Sequence, residues 1–160
     1  MNNNFYDFGS RYLSTSIEVS LSEDEVYRSD TLLKLFLGEY QDISFPIVFK
    51  RDYGKKKTDI ITTGTPYLYL ISENMKGVLE KNNITGCKIF TVRIVDKKDN
   101  EIKGYFGLSI TGRSSPAKFD SSNIIIKRLI PEGPEGEFYK GLVFDKNTWD
   151  GKDMFIQRSF

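Results

Sequence analysis

Three carboxylates crowd one stretch near the end of this 160-residue chain: Asp145, Asp150 and Asp153, around Trp149, the single tryptophan. Paired carboxylates can do acid–base work in hydrolysis, and acids alternating with asparagine can hold calcium. The spacing fits calcium poorly. Counting from Asp145, the fifth position is Trp149, Gly151 arrives one residue late, and Ile156 stands where a bidentate acid belongs. The simpler reading is a fixed turn, since Asp, Asn and Gly close turns through local hydrogen bonds. Its carboxylates would then be turn formers or contacts for a basic partner, and the indole its apolar anchor. Elsewhere, the absence of histidine excludes Ser-His-Asp and Cys-His nucleophile systems. With Cys87 as the single cysteine, metal sites built from cysteine or histidine are excluded too. No G-x-x-x-x-G-K-[ST] loop occurs. Lys55-Lys56-Lys57 beside Tyr53 could touch phosphates, but one short basic loop usually reads as a solvated tip. No cofactor, metal or catalytic residue is assigned, and the chain reads as a protein that is not an enzyme.

The bulk numbers bound the rest. The chain has 23 basic and 22 acidic residues, so no global field draws in nucleic acid or an anionic membrane. An aromatic content of 14% favours sheet. One α+β domain is expected over residues 15–160, after a loosely packed segment, 1–14. That segment carries Phe5, Tyr6, Phe8 and Tyr12, which either pack back on the domain or serve as interface anchors. Cys87 reads as a packed, inert thiol. No basic-then-apolar leader is visible, and no apolar run approaches the ~20 residues of a membrane span. The expected compartment is a reducing cytoplasm.

The elements that must position these residues are mostly strands. Ser16–Leu21 alternates as a half-buried strand, and Ser22–Glu25 is an acidic turn. Ser29 or Asp30 caps a short helix that runs to Leu37 and stops at Gly38. Phe45–Lys50 is a strand that Pro46 confines to an edge or a strand start, and Arg51–Lys57 is an exposed basic loop. Tyr67–Ile71 is a strand. Ser72 caps a following helix whose apolar face is Ile71, Met75, Val78 and Leu79, stopped by Asn82-Asn83 and Gly86. Lys88–Val95 turns through Asp96–Asn100 into a hairpin partner, Gly104–Thr111. Gly112–Asn123 is a Ser-rich loop. Ile124–Ile130 is a strand, Pro131–Gly136 a surface loop, and Gly141–Phe144 and Met154–Gln157 are short strands flanking the Trp149 turn. The whole is a mostly antiparallel twisted sheet with one or two short helices packed on it.

Two stretches resemble a family of bacterial immunity proteins that accompany polymorphic toxins. Pro66 to Glu80, then Gly86 and the strand Lys88–Val95, is similar to that family's module of apolar strand, Ser-Glu, helix, Gly and strand. Phe144-Asp145 through Trp149-Asp150-Gly151-Lys152-Asp153-Met154-Phe155 is similar to its Phe-Asp…Trp-Asp-Gly-Ser-Asp-Phe-Phe turn, with Lys152 in place of the usual Ser. Together they cover about a third of the chain, in the family's order. Family members continue into a second strand-and-helix module, whereas this chain ends at Phe160. An absent module would leave a sheet edge open for pairing with a second copy.

The resemblance implies a binding protein that neutralises a toxin encoded nearby, by stoichiometric occlusion of its active site or substrate path. Such inhibition needs no catalytic group. The acidic residues that would meet a basic toxin surface are Glu23, Asp24, Glu25, Asp150 and Asp153, with Trp149 as anchor. The alternatives are a small-molecule- or peptide-binding accessory domain and a carboxylate-dependent enzyme.

Overall fold

Polar–apolar alternation decides which strands lie in the middle of the sheet. The computed structural model describes residues 6, 8–9, 15–22, 29–114, 118–119, 124–128, 135–139, 142–143 and 146–157. Its main sheet is built from β1 (Glu18–Leu21), β2 (Ile47–Tyr53), β3 (Ile60–Thr62), β4 (Leu68–Ser72), β5 (Cys87–Val95) and β6 (Tyr105–Ile110). The strands lie in the order β1-β2-β5-β6-β4-β3. Every neighbouring pair is antiparallel except β2 with β5. With two helices, α1 (Ser29–Leu37) and α2 (Glu73–Lys81), this is an α+β fold.

The sheet has two apolar faces. Val19, Leu21, Ile47, Phe49, Ile61, Leu68, Leu70, Phe90, Ile94 and Tyr105 form one core, and Leu35 of α1 plugs it with no exposed surface. The edge strands β1 and β3 come within 8 Å of each other, Cα to Cα, so the sheet curls around this core. On the other face Ile71, Leu79 and Leu108 gather Tyr69, Met75, Ile89, Phe106 and Met154 beneath α2. As the alternation predicts, Phe90, Val92 and Ile94 face the first core, while Phe106 and Leu108 face the second.

α1 stops, and α2 starts and stops, where their residues dictate; Ser29 and Asp30, expected as caps, instead lie inside α1. Gly38 closes α1 in a left-handed conformation, with Glu39 N–H reaching the Lys34 carbonyl at 2.8 Å and Gly38 N–H reaching Leu35 at 3.1 Å. This is a Schellman-type end. The Ser72 hydroxyl accepts the Met75 N–H at 3.1 Å at the start of α2, and Asn82 donates back to the Val78 carbonyl at 2.8 Å at its end.

Of the two places open to Pro46, the strand start is the one taken: β2 begins at Ile47, so the missing N–H stays outside a ladder paired on both sides. Other expectations are corrected. Arg51, Asp52 and Tyr53 belong to β2, and the basic loop begins after them. Val78 is 47% exposed, so the apolar face of α2 is narrower than its spacing suggests. The Ser-rich loop contains β7 (Gly112–Ser114) and β8 (Lys118–Phe119). β9 (Ile124–Arg128) pairs with β10 (Glu135–Tyr139). The strands flanking the Trp149 turn, β11 (Leu142–Val143) and β12 (Phe155–Gln157), pair with β8 and β7 respectively and not with each other. No helix among the described residues is long and apolar enough to cross a membrane.

Candidate functional site

The carboxylates of Asp150 and Asp153 are exposed, yet each accepts hydrogen bonds from the chain itself. The Asp153 carboxylate accepts both the backbone N–H and the hydroxyl of Thr85, at 2.8 and 2.7 Å. Asp153 N–H in turn donates to the Thr85 hydroxyl oxygen at 3.1 Å, and Met154 N–H to the Thr85 carbonyl at 3.0 Å. Asp150 does the same work against β7. Its carboxylate accepts the N–H groups of Arg113 at 2.9 Å and Lys152 at 3.1 Å. The Asp150 N–H donates to the Arg113 carbonyl at 3.2 Å. Trp149 is half-buried rather than a core residue. Its indole N–H closes the turn on the Lys152 carbonyl at 2.8 Å, and its ring leans on Phe155 at 5.9 Å. Charge reversal at Asp150 or Asp153 would therefore unfasten this segment as well as alter the surface. Glu23, Asp24, Glu25 and Asp145 lie outside the described residues.

The two stretches that carry the family resemblance thus meet in space. Thr85 and Gly86 follow α2, and Asp153 and Met154 follow the tryptophan turn. The approach is close: a Cβ on Gly86 would stand 2.0 Å from the Met154 carbonyl oxygen, and one on Gly112 would stand 2.2 Å from it.

Hydrogen bonds from Thr85, first its hydroxyl and then its N–H, hold the Asp153 carboxyl below its usual range. The sign follows from linkage. A carboxyl with a lowered folded pKa stabilises above its unfolded pKa, so this contribution should be present above about pH 4 and fade as pH falls below it. Asp153→Ala is expected to cost about 1 kcal/mol near neutrality. The difference from the parent should shrink in acid unfolding curves, and a constant difference down to acid pH would contradict the clamp.

A second surface was not foreseen from the sequence. Tyr67 has φ +61°, and Leu68 N–H returns to the Thr65 carbonyl at 3.3 Å. Pro66 at the second position and a positive φ at the third is the type II pattern, in which glycine or asparagine normally takes the third place. Asn83 and Asp99 also have positive φ, but their short polar side chains tolerate it. Tyrosine does not, and Tyr67 is 37% exposed. The ring meets Phe36 of α1 edge-on at 5.7 Å, and the Arg113 guanidinium lies 5.0 Å over Phe36. Arg113 is fixed there by bonds from its guanidinium to the carbonyls of Ile110, Gly112 and Phe36 at 2.7–3.0 Å. Leu33 and Leu37, one turn apart on α1, are 58% and 44% exposed. Through its backbone bonds to Asp150, Arg113 joins this platform to the tryptophan turn. The readable signal was Thr65-Pro66-Tyr67, a turn dipeptide with an aromatic in the glycine place.

Other polar groups are absorbed by structure. The Tyr40 hydroxyl donates to Ser109 at 2.9 Å and lies 3.2 Å from the Lys88 carbonyl. Burial pushes its pKa up to about 12. Ser109 is fully buried, and the Lys88 ammonium is spent on the Gly38 carbonyl at 2.6 Å. The half-buried Cys87 thiol is raised by burial, in a depression lined by Leu79, Ile84 and Ile89. Phe8 of the N-terminal segment packs on Tyr69 at 5.4 Å, while Tyr6 is exposed. Among the described residues, no three His, Cys, Asp or Glu side chains gather as a metal site.

Comparison with protein-family models and with curated proteins finds no match.

Proposed function

We propose that this chain is an immunity-type inhibitor, which binds a cognate bacterial toxin in the cytoplasm and neutralises it by stoichiometric occlusion. The observation that carries the reading is Tyr67. A bulky aromatic in the left-handed region costs stability that glycine would not, and nothing in the core requires its half-exposed ring. Strain retained at a surface aromatic supports selection for a contact. Tyr, Phe, Arg and Leu side chains on a pre-ordered platform suit a protein partner, because aromatics and arginine dominate binding hot spots and fixed side chains lose little entropy on docking. The resemblance carried by Pro66–Val95 and the tryptophan turn supplies the partner class, and the fastening of these stretches to each other supports reading them as one unit.

The test separates folding from binding. Tagged chain from its native cells should capture one stoichiometric partner bearing a toxin domain, and co-expression should restore growth to cells making that partner. Tyr67→Gly should leave the chain as stable or raise stability by about 0.5–1 kcal/mol, while weakening capture. A toxin partner held equally by the variant would remove Tyr67 from the interface, and the absence of any toxin partner would sink the reading.

A further inference from the structure

We propose that β9 is a dimerisation edge, through which two copies of this chain join their β9–β10 ribbons into one four-stranded antiparallel sheet. The inference goes beyond toxin inhibition and stands on separate observations. β9 and β10 pair antiparallel with each other, and among the described residues no further strand joins them. A two-stranded ribbon is at best marginally stable in water unless something covers an apolar face. This one begins Ile124-Ile125-Ile126. Successive strand residues point to opposite faces, yet Ile125 and Ile126 are both exposed, at 42% and 64%. Among the described residues, the ribbon is therefore open on both faces where it is most apolar, and β9 is open along its outer edge. An exposed edge of β-branched apolar residues is a template for pairing with another chain.

Register and charge select a second copy as that chain. An antiparallel strand can pair with its own copy across a two-fold axis. With Ile126 on the axis, all five residues of β9 are matched: Ile126 stands opposite its own copy, Ile125 opposite Lys127, and Ile124 opposite Arg128. The two Arg128 residues then lie about 14 Å apart along the strands, beyond the ~8 Å screening length of physiological salt. Each is already paired with Glu135 of its own chain at 3.2 Å. The matching pairing of β10 would centre on Glu137 and set two glutamates directly opposite each other, which is unfavourable. So charge leaves β9 as the edge that pairs with itself. An edge of five residues buries far less than the about 1,200 Å² of a stable complex, and the dimer is correspondingly concentration-dependent.

Sedimentation velocity on the full chain reads the dimer. Raising the concentration about a hundredfold through the micromolar range should move the parent from monomer to dimer and no further, because the two copies of β10 then form the outer edges. Ile126→Lys sets two ammonium groups opposite each other on the axis and should weaken dimerisation about tenfold. Val78→Lys, which adds the same charge to the exposed side of α2, should leave it unchanged. Thermal unfolding checks that both variants fold. Register has its own test in a Cys87→Ser background, which removes the single native thiol. On oxidation with copper phenanthroline, Ile126→Cys should give a disulfide-linked dimer. Ile125→Cys should not, since the stagger puts its two copies more than about 7 Å apart. A parent that stays monomeric, a dimer that Ile126→Lys leaves intact, assemblies larger than two, or equal cross-linking at the two positions would each overturn the proposal. None of these outcomes involves the toxin, so this proposal and the inhibitor reading fail separately.

Discussion

Gly86→Ala should destabilise the chain by about 2–4 kcal/mol, far more than an ordinary glycine substitution. Two effects add. Gly86 has φ +80°, where a Cβ costs about 1–2 kcal/mol. The new methyl would also stand 2.0 Å from the Met154 backbone oxygen, so backbone rather than a flexible side chain must move. Moving it breaks the bonds between Thr85 and Asp153. The control is Gly151→Ala, which has a similar φ of +78° but nothing within 4 Å of the added carbon, and should show only the strain of about 1–2 kcal/mol. Chemical denaturation of the two variants measures the difference. Hydrogen exchange should show lost protection over residues 153–157 in Gly86→Ala alone. Equal costs would mean that the close approach of the C-terminal segment is absent in solution.

Leu35→Ala should cost about 2–5 kcal/mol. Leu35 has no exposed surface and is the side chain through which α1 fills the curled sheet, against the core that holds Phe49, Phe90 and Ile94. Truncation leaves a void that β-strands fixed on both sides cannot collapse into, which puts the loss toward the upper part of that range. Leu33→Ala, two residues earlier but 58% exposed, should change stability by less than about 0.5 kcal/mol. If Leu33 instead proved as costly, α1 would be rotated about its axis. The platform of Leu33, Phe36 and Leu37 would then be core and not surface.

Local chemistry was legible wherever one residue type had one job. Ser72 as a cap, Gly38 as a helix end, the Asp96–Asn100 turn and the two faces of β5 and β6 all follow from the residues alone. Strand order did not, because β6 enters between β4 and β5 and no local pattern encodes a neighbour so far along the chain. Pro46 was ambiguous for the same reason: its missing N–H is harmless at a strand start and prohibitive one residue further in. At the candidate site the tryptophan turn was legible, but whether its acids close the turn or meet a partner was not, since Asp in a turn has the same signature whether it bonds Thr85 or a partner.

The interposed strand also bears on how this chain reaches its fold. β4 and β5 are parallel and joined through α2, a unit whose strands ordinarily become neighbours. Here they must be held one strand apart until β6 arrives. The β5–β6 hairpin, closed by the Asp96 turn, is the most local pairing in this part of the sheet and brings β6 into place for β4. A chain that paired β4 directly with β5 would exclude β6 and would have to open before the sheet could close. Such a species is expected as rollover in the refolding limb of the chevron, and a linear limb would show that it does not form.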